Sequence, residues 1–462
     1  MLCVYGDFGM RRTITAVLVI GLVFFCVCCT QQKKDGMAIA PTQKASASTF
    51  STSNPADESC TQADLEATAI AGMPLTKALE TLALLEGDER KVVLTQAQLC
   101  DPNIQKALTQ RISRLAIALS KETFDDGTIG PCLQAMAAPL CGLSLPKLTT
   151  DAGLTHLNHL SGIRELDLSD TRVTDDGLMH LKNLNEMSTL SLSRTVVTDA
   201  GLEHLKNLTE MSTLNLSRTL MTDAGLVYLK NMTHMKSLDF SGTVVTGSRL
   251  AYLRGMTGMR TLNLADTNTG DVGLVHLEGT PALKRLSLSR TKVTDAGLAH
   301  LSTLTVLEKL SLWRTRVTDD GVAHLADLTE MQELELSDTS VTDDGLVHLK
   351  NMTGLTKLWL MGTIITGRGL VHLKNMTELE SLALSYTNVT DAGLSHLSGL
   401  RALKELTLTR TKITDAGLSH LGHLSGIKTL DLSGTAVTAE GIRRLEGSIP
   451  GLLSQVHTAK GQ

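Results

Sequence analysis

Thr171, Thr195, Thr219, Thr243, Thr267, Thr291, Thr315, Thr339, Thr363, Thr387, Thr411 and Thr435 recur at intervals of 24 residues without one insertion. A fixed period of this length marks a repeat architecture and changes the meaning of every residue inside it. Trp313, Arg314, Asp319, Asp320 and His324 would alone suggest a catalytic or metal site. Here they first have to be divided into what all units share and what one unit adds. Twelve full units fill residues 163–450.

Each unit has two halves. In the first, Glu165-Leu166-Asp167-Leu168-Ser169 alternates polar and apolar residues as a half-buried strand does, with Leu166 and Leu168 pointing inward. In the second, apolar residues at Leu178, Leu181 and Leu184 fall on one helical face. Thr174 is the expected N-cap, and Asp175 is expected in the first turn, where the positive end of the helix dipole favours a carboxylate. One strand and one short helix cannot close a core, so neighbouring units have to stack to bury the leucines.

The unit LxxLxLxxTxVTDxGLxxLxxL resembles the leucine-rich repeat, in the form close to bacterial ITDxGL-type variants. The resemblance implies an α/β leucine-rich repeat solenoid, a horseshoe with a parallel concave sheet and convex helices. One departure concerns the turn. Many members of that family carry an asparagine there, whereas all twelve units carry threonine, so a hydroxyl has to satisfy the turn backbone.

The phase continues upstream in weaker form. Leu94 and Asp101, and Leu119 and Asp126, repeat the strand-to-turn interval, and Leu143-Ser144-Leu145 with the run 149–154 repeats it one residue short, giving three degenerate units within residues 88–162. A purely helical N-terminal domain remains the alternative, because these segments are alanine-rich and lack the recurring threonine. Residues 61–87 read as a small helical N-terminal cap over the raw end of the core, and residues 451–462 as a closing segment.

Arg11 and Arg12 precede an apolar run from Ile14 to Cys29, followed by the polar Thr30-Gln31-Gln32-Lys33-Lys34. These are signal-peptide dimensions, shorter than the roughly 20 residues that cross a bilayer. Residues 1–29 are therefore expected to be an export signal, and residues 30–60, rich in Ser, Thr, Ala and Gln, a flexible tether. The run resembles a bacterial lipoprotein signal with Cys29 as the lipidated residue, which implies a membrane-anchored protein of the cell envelope, with the outer membrane favoured. An uncleaved anchor and plain secretion stay open. Beyond the signal only Cys60, Cys100, Cys132 and Cys141 remain; disulfides and buried thiols are both compatible with them.

The recurrent polar residues read as frame. Histidine occupies one helix position in ten units, from His156 to His420, whereas catalysis needs a single asymmetric site. The pairs Asp175-Asp176, Asp319-Asp320 and Asp343-Asp344 fall at helix starts and lack the ligand set of a calcium loop. No phosphate loop, catalytic triad or HExxH is present, so no cofactor and no metal is expected and an enzyme is disfavoured. A net charge of −5, the lack of a basic stripe and 3% aromatic residues argue against a nucleic-acid partner.

The variable residues carry more information. Outward strand positions are mostly small and polar, as at Asp167, Ser191, Asn215, Asp239, Asn263 and Ser287, until both tryptophans of the chain appear there, Trp313 in the seventh unit and Trp359 in the ninth. Strand spacing puts the two indoles about 12 Å apart. Met361, Tyr386, Arg290, Arg314, Glu335, Asp338 and Lys357 surround them. Aromatic residues, methionine and arginine are enriched at binding interfaces, and outward tryptophans have no packing reason to be there. The expected binding residues are thus Trp313, Arg314, Trp359, Met361, Tyr386, Arg290, Glu335 and Lys357. The expected partner is a protein, and a glycan stacked on the tryptophans is the alternative. Neutral variation on a permissive surface is the competing explanation.

Overall fold

The computed structural model describes residues 140–449 without a break, together with 68–69, 87–94, 96–99, 101–119, 452 and 456–457. The signal, Cys29 and the tether lie outside the described residues, as do Cys60, Cys100 and Cys132, while Cys141 is buried.

From Gly87–Leu94 onward each strand pairs in parallel with the next, through Ile112–Leu119, Leu140–Ser144 and the three-residue strands of the regular units, to Val456–His457. The register advances by 24 residues, Leu166 on Leu190 on Leu214, so equivalent side chains stack in columns. Leu166, Leu168, Val173, Leu178, Leu181, Leu184 and Met187 of the first regular unit are at most 1% exposed, and the same positions are buried in the second to eleventh units. Burying one such side chain contributes about 1.5–3 kcal/mol, and it can be buried only against a neighbouring unit. Two residues depart from expectation at the start. Thr68–Ala69, placed by sequence in a helical cap, pair in parallel with Val92–Val93 and so extend the sheet past what would be an open edge.

The convex side is tighter than an α-helix. Asp175–Leu178 is α-helical and Met179–Leu181 is 3-10, and in several units, such as Gly345–Leu349 and Gly369–Leu373, only the 3-10 form is present. The reason is legible in retrospect: Leu178, Leu181 and Leu184 are spaced by three, which is the 3-10 period rather than 3.6.

The Thr-Asp-x-Gly-Leu motif works between units as well as within them. Thr174 caps its own helix by accepting from the Asp176 N–H at 3.3 Å, as expected. Asp175, however, reaches forward: its Oδ1 accepts from the Thr198 N–H at 2.7 Å and its Oδ2 from the Thr198 hydroxyl at 2.6 Å. The same pair of bonds links Asp151 to Thr174, Asp199 to Thr222, Asp295 to Thr318 and Asp319 to Thr342. Glycine two residues after the aspartate is then required, because a Cβ at Gly201 would collide with the Asp175 carboxylate of the preceding unit. The recurrent turn threonine serves inside its unit: the Thr171 hydroxyl donates to the Leu168 carbonyl at 2.6 Å and is buried.

The aspartate ladder is interrupted twice, five units apart, where Gly247 and Gly367 replace the aspartate and adopt φ of +86° and +109°. At the first gap the partner threonine is also missing, and the N–H of Gly270 donates instead to the Thr246 carbonyl at 3.3 Å. At the second, Thr390 forms an isolated parallel bridge with Lys412.

A candidate binding face on the concave sheet

The outward strand positions divide the sheet into two parts. Over the first units they form a hydrogen-bonded polar surface, in which Ser169 and Ser191 hydroxyls lie 2.7 Å apart, Ser217 donates to Ser193 at 2.9 Å and Asn263 to Asp239 at 3.2 Å. From the seventh unit a layer of larger side chains is added. Trp313, Trp359 and Met361 are half-buried, and the small residues of the same strands and their neighbours are covered, with Ser311 8%, Ser337 1% and Ala383 4% exposed. Side chains that shield their neighbours in this way are packed on the sheet rather than waving in solvent.

Trp313 is the best-fixed of them. Its Nε1 donates to Asp338 Oδ2 at 3.0 Å, and the same oxygen accepts from Arg314 Nε at 3.0 Å. The Arg314 guanidinium lies 4.9 Å from the indole centroid and that of Arg290 5.7 Å, while Arg290 is ion-paired with Asp266. Cation–π contact and an indole hydrogen bond together remove rotamer freedom before any partner arrives. Trp359 stands in register between Glu335 and Ala383.

Glu335 accepts from the Ser337 N–H at 2.9 Å, yet burial raises its pKa to about 6 against the lowering effect of Ser337, with the Asp338 charge adding to the rise. Its ionisation burdens the folded state and not the unfolded chain. That contribution is therefore most favourable to folding below the unfolded value of 4.5, and it is lost as pH rises through about 6. Glu335→Gln is expected to stabilise the protein by about 1–2 kcal/mol at pH 7.5 and to leave it unchanged near pH 4.5, measured as urea midpoints at the two pH values. The ladder carboxylate Asp343 runs the other way. For Asp343, burial is outweighed by hydrogen bonds from Thr366, Gly369 and Gly367, which lower its pKa, so its contribution is present at neutral pH and lost only in acid, below 3.8.

The remaining expected residues occupy two other rows. Lys357 and Lys309 both pair with Glu333 at 3.1 Å, a charged row at the strand starts. Arg290, Arg314 and Tyr386 lie in the turn that ends each strand, with φ of 57°, 54° and 61°. The arginine of the eleventh unit, Arg410, sits 5.6 Å from the Tyr386 ring, which is 56% exposed. Sequence reading missed this left-handed column. Its signal is the recurrence at one position of Asp170, Asp266, Asp338, Gly242, Gly362 and Gly434, residue types that tolerate positive φ.

The histidine column flanks the convex turns, where His300 meets Glu278 at 3.1 Å and His276 meets Arg254 at 3.1 Å; burial and Arg254 lower the pKa of His276. Among the described residues no group of three His, Cys, Asp or Glu side chains is placed to hold a metal ion.

The family model for the leucine-rich repeat matches residues 154–182 and 375–398. Over a much longer span the chain superposes on an internalin from Listeria monocytogenes, with a TM-score of 0.57 and 24% identity, covering 79% of this chain and 93% of the internalin. The fold is that of the leucine-rich repeat proteins. A leucine-rich repeat protein of Leptospira interrogans matches with a TM-score of 0.50 and 16% identity over 83% of this chain and 98% of its own. The mouse RP105/MD-1 complex matches with a TM-score of 0.54 and 17% identity, over 80% of this chain and 63% of that one. No curated relative matches the chain significantly. The leucine-rich repeat frame accounts for the leucines, Thr315, Thr318, Asp319 and Gly321, and leaves Trp313 and its neighbours as the additions of particular units.

Proposed function

We propose that this leucine-rich repeat protein is a non-enzymatic binding scaffold of the bacterial cell envelope, and that it recognises a protein partner through the concave face of the seventh to tenth units. The observation that carries the reading is the fixed indole of Trp313, held by Asp338 and flanked by Arg290 and Arg314. A half-exposed tryptophan ordered in advance is the kind of anchor around which interface energy concentrates. Trp359, Met361, Glu335, Lys357 and Tyr386 extend the face on either side. One of the matched structures, RP105/MD-1, is itself a complex, which is consistent with this use of the fold. The test is capture from envelope extract by the wild type and by Trp313→Ala/Trp359→Ala. A partner lost in the double variant supports the proposal, and retention of all partners refutes it. A protease-resistant partner displaced by free sugar would instead assign the face to a glycan.

The anchor belongs to the same proposal, with Cys29 as the lipid attachment site that tethers the solenoid to the envelope. Palmitate labelling is expected in the wild type and absent in Cys29→Ser, and label retained in that variant would rule Cys29 out as the attachment site.

A further inference from the structure

We propose that the partner contributes an acidic segment, which docks along the rim of the sixth and seventh units on Arg290, Lys292, Arg314 and Arg316. This rests on the concave-face reading above and adds the partner's chemistry to it. The rim is the turn that ends each strand, and these two consecutive units place a cation at both of its exposed positions. In the second to fourth units the outer of the two positions is apolar, with Val196, Leu220 and Val244 each more than half exposed. Adjacent strands are about 4.8 Å apart, so four cations gather within roughly 10 Å on a chain whose net charge is −5.

The four are not equivalent. Arg290 and Arg314 are spoken for by Asp266 and Asp338 and by the Trp313 ring, which holds their guanidinium planes in place. Lys292 and Arg316 are exposed and have no ion pair among the described residues, so they supply the unneutralised charge. The ladder carboxylates of these turns, Asp271 and Asp295, are occupied by the N–H and hydroxyl groups of Thr294 and Thr318 and do not answer them. Arginine also holds this left-handed position at Arg194, Arg218 and Arg410, but only at Arg290 and Arg314 do two neighbouring units combine it with a second exposed cation two residues on. A nucleic acid would require a continuous basic track, whereas this cluster is closed off by Asp266 on one side and Asp338 on the other.

The probe is a fluorescein-labelled oligoglutamate peptide, with its oligolysine counterpart and a single-stranded oligonucleotide, titrated by anisotropy against full-length wild type and Lys292→Glu/Arg316→Glu. The oligoglutamate is expected to bind wild type, to weaken about tenfold in the charge-reversed protein and to weaken further with salt, while the oligolysine does not bind. No binding of oligoglutamate to wild type, equal binding to both proteins, or tighter binding of the oligonucleotide overturns the inference. Both substituted residues are exposed, and an unchanged melting temperature checks the fold. Loss of a captured partner in Trp313→Ala/Trp359→Ala but not in Lys292→Glu/Arg316→Glu would sink the acidic segment alone. Retention of that partner in the tryptophan variant would sink the concave-face reading itself.

Discussion

Asp319→Ala is expected to lower stability by about 3 kcal/mol, while Asp320→Ala, one residue later, is expected to change it by less than about 0.5 kcal/mol. In sequence the two carboxylates look like a pair. In the fold, Asp319 accepts from the Thr342 N–H at 2.8 Å and from its hydroxyl at 2.6 Å, and it fills the space that glycine leaves at Gly345. Removing it forfeits two charge-assisted bonds, orphans a backbone donor in the next unit and opens the joint between two units whose cores exist only because they stack. Asp320 is exposed and takes no part in the ladder. Urea midpoints of the two variants at neutral pH give the comparison, and similar losses in both would contradict the inter-unit role of Asp319.

The second large effect is on binding. Trp313→Ala/Trp359→Ala is expected to weaken the captured partner by about a hundredfold or more, since each of two anchor aromatics contributes on the order of 2 kcal/mol. Trp313 is the larger contributor in this account. Its hydrogen bond to Asp338 and its two arginine neighbours fix it before binding, so little entropy is lost when a partner covers it. The change to alanine also removes the surface over which Arg290 and Arg314 are arranged, and the effect on the partner therefore exceeds the area of one indole.

Much of this was legible in the chain. The period gave the strands, the buried leucines, the Thr174 cap and the outward direction of Trp313 and Trp359, because each of these follows from residues within one unit. What escaped is what one unit does for another. Asp175 had a sufficient local explanation in the dipole of its own helix, and nothing within a unit shows that its ligands lie 23 residues on at Thr198. The left-handed rim was hidden for a different reason. Arg290, Arg314 and Tyr386 dilute the Asp and Gly that announce a positive φ, so proximity in sequence alone groups them with the sheet. The 3-10 turns are hard to read because a spacing of three also fits one face of an α-helix, and the gaps at Gly247 and Gly367 because two glycines among many carry no signal until the ladder they interrupt is known.

The location of the binding face is the central claim, and one comparison addresses it most directly. The dissociation constant of the captured partner is measured for wild type, for Trp313→Ala/Trp359→Ala and for Ser191→Ala/Asn215→Ala, which alters the polar concave surface of the second and third units. The account predicts loss of affinity in the tryptophan variant and wild-type affinity in the other. Full affinity without the tryptophans, together with a loss in Ser191→Ala/Asn215→Ala, would contradict it and move the site to the first units.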